Sequence, residues 1–271
     1  MRELGIEEHK KIAFEILSAF ADFCDENNLT YYLAYGTLLG AIRHKGFIPW
    51  DDDVDVMMPR ADYERFLEIF PGKSEHLKLA TPYDKDPLYY FTKVYDDRTV
   101  KKESLIDYRK REPLGIDIDI FPIDTQPPEG AEKEFCRNCR KRKKLELLIM
   151  FSRGLPKEDK SFRHRIGAMI GGMFSTKKLI ARFNALAKKY DGIKSDRAGC
   201  MTGYDALENR HDIRVFGGKI KVPFESGEFW VPCGYDEILT DLFGDYMTPP
   251  PEAERITHHD NAVYIKDESE F

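Results

Sequence analysis

The sequence predicts an α+β fold: a mixed sheet flanked by helices, with a helical insertion at roughly residues 130–195. Three observations carry this. Ile116, Ile118 and Ile120 alternate with Asp117 and Asp119, the two-residue period of a half-buried strand. Val54 to Met58 is a short apolar run, entered through a cluster of aspartates and stopped by Pro59. Strand-like segments at both ends of the chain enclose a middle that reads as helix throughout, the pattern of an α+β domain with an insertion.

Taken in order, Ile6 to Asn27 is an amphipathic helix, because Ile12, Ile16, Leu17, Phe20, Phe23 and Cys24 recur at helical spacing. Leu29 to Ala34 reads as a strand, and Gly36 to Arg43 as a tight turn into a short helix. Arg60 to Phe70 is helical; Leu77 to Ala80 and Tyr89 to Tyr95 are strands. Pro122 is expected to close the strand around Asp117. Lys133 to Met150 is a helix with a basic run, Arg163 to Tyr190 is one broken helix or two, and Asp236 to Phe243 is a last amphipathic helix before three prolines. The whole chain, 1–271, reads as a single domain with no repeats and no low-complexity tract.

Composition narrows the function classes. Apolar residues make up 42% of the chain, enough for a core, and the net charge of −6 excludes a generally basic nucleic-acid sheath, so any anion site must be local. The N-terminus carries no signal-peptide pattern, and the longest apolar run, Ile166 to Phe174, is far short of the about 20 residues that span a bilayer. The expected location is the cytoplasm. Five cysteines in such a chain suggest thiols, and Cys136 and Cys139, three apart on a helix, lack the second pair that a zinc site wants.

The chemistry concentrates in Trp50-Asp51-Asp52-Asp53-Val54-Asp55. Like charges this close repel, so the cluster needs something to neutralise it. Asp53 and Asp55 lie two apart, on one face of a strand, and Asp117 and Asp119 repeat the arrangement on a second strand. If those strands are neighbours, three or four carboxylates converge into a site for hard divalent cations, Mg2+ or Mn2+. Such a site suits phosphoryl transfer, with a remaining carboxylate accepting the proton of an incoming hydroxyl. Gly36-Thr37 supplies a small-residue turn where backbone N–H groups can approach a phosphate. A calcium loop of the EF-hand type fails, with Val56 where glycine is needed and Asp62 where glutamate is expected, and no P-loop or GxGxxG occurs.

The segment Tyr35-Gly36-Thr37-Leu38-Leu39-Gly40-Ala41-Ile42-Arg43-His44-Lys45-Gly46-Phe47-Ile48-Pro49-Trp50-Asp51-Asp52-Asp53-Val54-Asp55-Val56 closely resembles the signature of the LicD family. The likeness continues in Met58-Pro59-Arg60-Ala61-Asp62-Tyr63, Ile118-Asp119-Ile120-Phe121-Pro122-Ile123-Asp124 and Phe243-Gly244-Asp245-Tyr246-Met247. The resemblance implies a nucleotidyltransferase-like fold, also shared with fukutin-type enzymes. It implies a Gly36-Thr37 turn at the cofactor, metal ligands Asp53 and Asp55, and a third carboxylate at Asp119 or Asp117. It further implies transfer of phosphocholine, phosphoribitol or phosphoglycerol from a CDP-activated donor to a hydroxyl of a glycan or lipid-linked glycan, releasing CMP. Lipopolysaccharide, teichoic acid and capsule are acceptors of that class. On this reading Arg43, Lys45, Lys93 and Arg98 are candidates to contact phosphate, and Asp51 and Asp52 take supporting parts. The alternatives are a nucleotidyltransferase acting on a sugar phosphate or protein, and a catalytically inactive binding module.

Other features carry weaker readings. The basic run Arg137 to Lys144, and an apolar Gly-rich patch bracketed by Arg163, Arg165, Lys177 and Lys178, suggest peripheral contact with the inner face of an anionic membrane, set against a soluble helical subdomain with charged outer faces. Nucleic acid is excluded as a partner, because the run has no interleaved aromatics. His258 is a weak acid–base candidate, and Trp230, Tyr35 and Tyr246 are candidates to stack on a base or sugar.

Overall fold

The computed structural model describes residues 1–70, 74–103, 106–108, 111–155, 161–203, 209–256 and 261–266. In chain order the elements are β1 (Arg2–Glu3), α1 (Ile6–Glu26), β2 (Tyr32–Leu33), α2 (Tyr35–Arg43), β3 (Asp55–Pro59), α3 (Arg60–Ile69), β4 (Leu77–Ala80), β5 (Thr92–Asp96), β6 (Thr99–Glu103) and β7 (Asp117–Thr125). They continue as α4 (Glu132–Ser152), α5 (Phe162–Gly171), α6 (Thr176–Ala187), β8 (Arg197–Gly199), β9 (His211–Asp212), β10 (Lys219–Phe224), β11 (Gly227–Pro232), α7 (Tyr235–Phe243) and β12 (Asn261–Ile265). The class is α+β, as the sequence predicts.

The central sheet runs β2-β3-β7-β5-β4, with β8 and β9 extending from the far end of β7. Among the described residues only β3 and β7 pair in parallel within it; their neighbours are antiparallel. A smaller sheet runs β1-β12-β6, and β10 and β11 form a separate hairpin.

Burial on both faces explains the composition of the two parallel strands. Val56 and Met58 of β3, and Ile118 and Ile120 of β7, are inaccessible to solvent, and α1 closes one side with Ile16, Leu17 and Phe20. Strand β7 therefore departs from the expected half-buried strand, because residues on both its faces are covered. It also runs through Pro122 to Thr125, since Pro122 sits opposite Met58 in the register and costs only one ladder N–H. The middle of the chain is helical: α4 packs against both α5 and α6, with Ile149, Leu179, Ile180 and Phe183 forming a satellite core. Cys136 and Cys139 both lie on α4.

Candidate active site

Register brings the acids together. Asp55 pairs directly with Asp119 across the parallel β3–β7 ladder, although 64 positions separate them in the chain. The bond from Asp119 N–H to the Val54 carbonyl, at 2.8 Å, extends that pairing to the segment carrying Asp53. Thr37 fixes the other side: its Oγ1 accepts the Asp55 N–H at 2.8 Å, tying the first turn of α2 to the start of β3. Gly36, beside it, is where helix and acidic loop touch. A Cβ there would lie 2.6 Å from Asp51 Oδ2. Lys10 steadies the loop before the acids by donating to the Ile48 and Pro49 carbonyls at 3.3 and 3.0 Å.

Two cavities open on this cluster. The larger, about 840 Å³, is bordered by Gly36, Arg43, Trp50, Asp51, Tyr246 and neighbouring apolar side chains. The smaller, about 420 Å³, is bordered by Tyr90, Phe91, Asp119, Phe121, Arg142 and Glu146 among others. Tyr35, Asp53 and Asp55 line both, so the acids stand at the junction. Tyr35 reaches that position at φ +45°, in the left-handed region, a strained backbone for a bulky side chain that commonly marks functional sites.

Electrostatics separates the acids into two kinds. Burial, with Asp53, Asp119 and Asp51 close by, holds the Asp55 carboxyl well above the usual carboxylate range. Burial, the Asp53 charge and a shared hydrogen bond with Asp53 push Asp51 up to about 8. Asp119 is raised to about 6, chiefly by burial and by Asp117, against the opposing pull of Lys93. Asp117 behaves oppositely. Despite its burial, Lys101 and Lys93 bring it down to about 2, at 3.0 and 3.1 Å.

The candidates drawn from the sequence thus divide. Asp53, Asp55 and Asp119 converge, with Gly36 and Arg43 bordering the larger cavity. Asp117 borders neither cavity and is committed to two lysines. Lys93 is buried, its ammonium 2.5 Å from Asp119 and 3.1 Å from Asp117, which makes it an internal counter-ion to the acids. Thr37 is buried and spends its hydroxyl on the strand. Arg98 and Lys45 border neither cavity: Arg98 is paired with Asp96 at 2.6 Å, and Lys45 accepts the Glu225 N–H through its carbonyl. Tyr246 lines the larger cavity and Trp230 hydrogen-bonds Asp25 instead. His258 lies outside the described residues.

Two residues that border the cavities were not singled out by the sequence reading. Asp51, given a supporting part, borders the larger cavity against Gly36. Arg142, counted as one charge of a basic surface run, is 4% exposed, and its Nε has no hydrogen-bond partner among the described residues. Its Nη2 donates to the Gly203 carbonyl, and the residue borders the smaller cavity. Helical phase was the available signal, since Asn138 and Arg142, four apart, share the buried face of α4 with Phe135 and Cys139.

The donor set is all carboxylate oxygen, which fits a hard divalent cation, and burial with like charges close by, the cause that raises Asp51, Asp55 and Asp119, is a cost that a cation there would offset. Among the described residues, no three acidic, histidine or cysteine side chains already surround one point. Asp53 and Asp55 would be the residues to hold such an ion, with water or phosphate oxygens completing its shell.

The site is thus an Asp-x-Asp pair at the start of a parallel strand of a mixed sheet, beside a Gly-Thr helix start. The description LicD/FKTN/FKRP, nucleotidyltransferase domain, matches residues 28–144. The lipopolysaccharide cholinephosphotransferase LicD of Haemophilus influenzae is 33% identical over 274 aligned residues, covering 98% of this chain and 100% of that protein. The chain belongs to the LicD family. Uncharacterised proteins of Rickettsia typhi and Rickettsia prowazekii are 37% and 33% identical over 72 residues, about a quarter of each chain.

Proposed function

We propose that this chain is a metal-dependent phosphotransferase that moves phosphocholine from a CDP-activated donor to a hydroxyl of a glycan, releasing CMP. The observation that carries it is the pair of cavities sharing Asp53, Asp55 and Tyr35. Transfer between two substrates needs one chamber for the leaving nucleotide and another, on the opposite side of the phosphorus, for the attacking hydroxyl. The name of the Haemophilus relative, matched end to end, supports phosphocholine as cargo and a glycan as acceptor.

On this reading the nucleotide occupies the larger cavity, with Trp50 and Tyr246 available to its rings and Arg43 to its phosphates. Asp53 and Asp55 would hold Mg2+ or Mn2+, leaving Asp119 as the remaining carboxylate. Such an ion neutralises the donor diphosphate and keeps its oxygens in line. The glycan hydroxyl enters from the smaller cavity. Asp119 takes its proton, the new O–P bond forms at the phosphocholine phosphorus, and the bond to CMP breaks. Arg142 faces the charge that builds on the transferred group. The exposed apolar side chains of α5, Phe162, Met169 and Ile170, with Met173 beyond its end and Arg163, Arg165, Lys177 and Lys178 around them, would hold the enzyme on an anionic membrane, beside lipid-linked acceptor.

The test is CMP release from CDP-choline with and without magnesium, with CDP-ribitol and CDP-glycerol alongside. Wild type should release CMP only with metal, and Asp53→Asn and Asp55→Asn should each lose at least about 100-fold, the scale of losing electrostatic stabilisation in a dry site. Full turnover in both variants sinks the assignment. Pyrophosphate release with a nucleotide adduct would identify a nucleotidyltransferase instead.

A further inference from the structure

The smaller cavity has a wall that phosphoryl chemistry alone does not require. Four aromatic rings follow one another along it. Tyr35 meets Phe121 edge-on at 5.4 Å, Phe121 meets Phe91 at 4.7 Å, and Phe91 meets Tyr90 edge-on at 5.3 Å. The wall is rigid, because Tyr90 is stacked on Phe183 at 4.2 Å and 18°. One of its rings already serves a cation: the Lys93 ammonium lies 5.4 Å from the Phe91 centroid.

Glu146 closes the wall. Its Oε1 accepts from the Tyr90 hydroxyl at 2.7 Å and lies 3.6 Å from Arg142, one helical turn back on α4. Its Oε2 takes no hydrogen bond among the described residues, and the side chain is 37% exposed, so it presents negative charge to the cavity it borders. A buried guanidinium and, one helical turn along α4, a carboxylate that accepts from the Tyr90 hydroxyl therefore border the same aromatic-lined cavity. A ligand matching it carries negative charge at one end and, about one helical turn away, a cation too bulky and poorly hydrated to need donors of its own.

We propose that Tyr90, Phe91, Phe121 and Glu146 form the subsite for the quaternary ammonium of the transferred group, with Arg142 on its phosphate. This rests on the phosphocholine reading above and extends it, since it makes cargo choice a property of the smaller cavity. An aromatic wall attracts the cation through the ring quadrupoles, and Glu146 supplies the matching charge without offering a protic partner.

The experiment compares phosphocholine with 3,3-dimethylbutyl phosphate, its uncharged isostere, by calorimetric binding in the presence of magnesium. Wild type should bind phosphocholine on the order of 10-fold more tightly than the isostere, as expected for a partly desolvated cation–π site. In Glu146→Gln that ratio should fall towards one. Tyr90→Leu should reduce it as well, and its circular dichroism checks that α4 and α6 remain packed. Equal binding of the two ligands by wild type, or an unchanged ratio in Glu146→Gln, overturns the subsite. CMP release by wild type is scored separately. Release with an unchanged ratio defeats the subsite alone, whereas a lost ratio in Glu146→Gln without any release by wild type defeats the transfer reading and leaves the ammonium site standing.

Discussion

Lys93 serves two aspartates at once, and the consequences differ for each. Asp117, held down to about 2 by Lys101 and Lys93, is ionised throughout the physiological range. Its folded value lies below the unfolded one, so its contribution to stability is present above about pH 4 and is lost as pH falls towards 2. Asp117→Asn leaves both lysines buried with a lost partner. It should destabilise the fold by about 3 kcal/mol at pH 7, read from urea unfolding, and by much less at pH 2.5. Asp51, Asp55 and Asp119 are shifted the other way, so each proton retained in the folded state must leave before a cation can bind. Magnesium affinity, measured by calorimetry, should therefore rise as pH is taken from 6 to 8, with proton release at the lower pH. An affinity flat across that range would contradict the coupling.

At the scale of elements, the sequence was most legible where period and stop signals agreed. Helix α1 was expected over Ile6–Asn27 and runs Ile6–Glu26; β4 falls on Leu77–Ala80 as expected, and α7 begins one residue early. The acid pair was legible as a cluster but not through strand alternation: β3 begins at Asp55, and Asp53 belongs to the loop before it, held beside Asp55 by the Asp119 N–H bond to the Val54 carbonyl. Pairing was not readable: nothing local says that β7 lies beside β3 in parallel, or that β5 follows on its other side and delivers Lys93. The same gap hid the choice between Asp117 and Asp119, since both point one way and it is Lys101 on the one and the pairing with Asp55 on the other that distinguish them. It also left Lys45 and Arg98 as phosphate candidates, because proximity in sequence to the acids is not proximity in space. The junction of α2 with the acidic loop gives a sharp test. Gly36→Ala would push Asp51 from its place, so CMP release should fall at least about 10-fold while the melting temperature moves by only a few degrees. A large loss of stability would show that Asp51 cannot yield.

For the whole molecule, the distribution of exposed apolar surface is uneven. Phe162, Met169 and Met173, at 76, 70 and 74% exposed, lie on α5 and just past its end, and α5 packs against α4. No helix among the described residues is long and apolar enough to cross a membrane. Flotation with vesicles containing anionic lipid should carry the protein upward at moderate salt, and replacing Phe162 and Met169 with serine should abolish this without altering CMP release from soluble donor. Protein remaining at the bottom with wild-type side chains would end the membrane reading.

The parallel pairing of β3 with β7 has one more consequence, in time instead of space. Two parallel strands require a long connection, and here that connection contains β5 and β6, with Lys93 and Lys101. A ribosome therefore releases the two lysines before it makes Asp117 and Asp119. The growing chain never has to bring β7 against Asp55 with its own acids bare, because the counter-charges have already emerged.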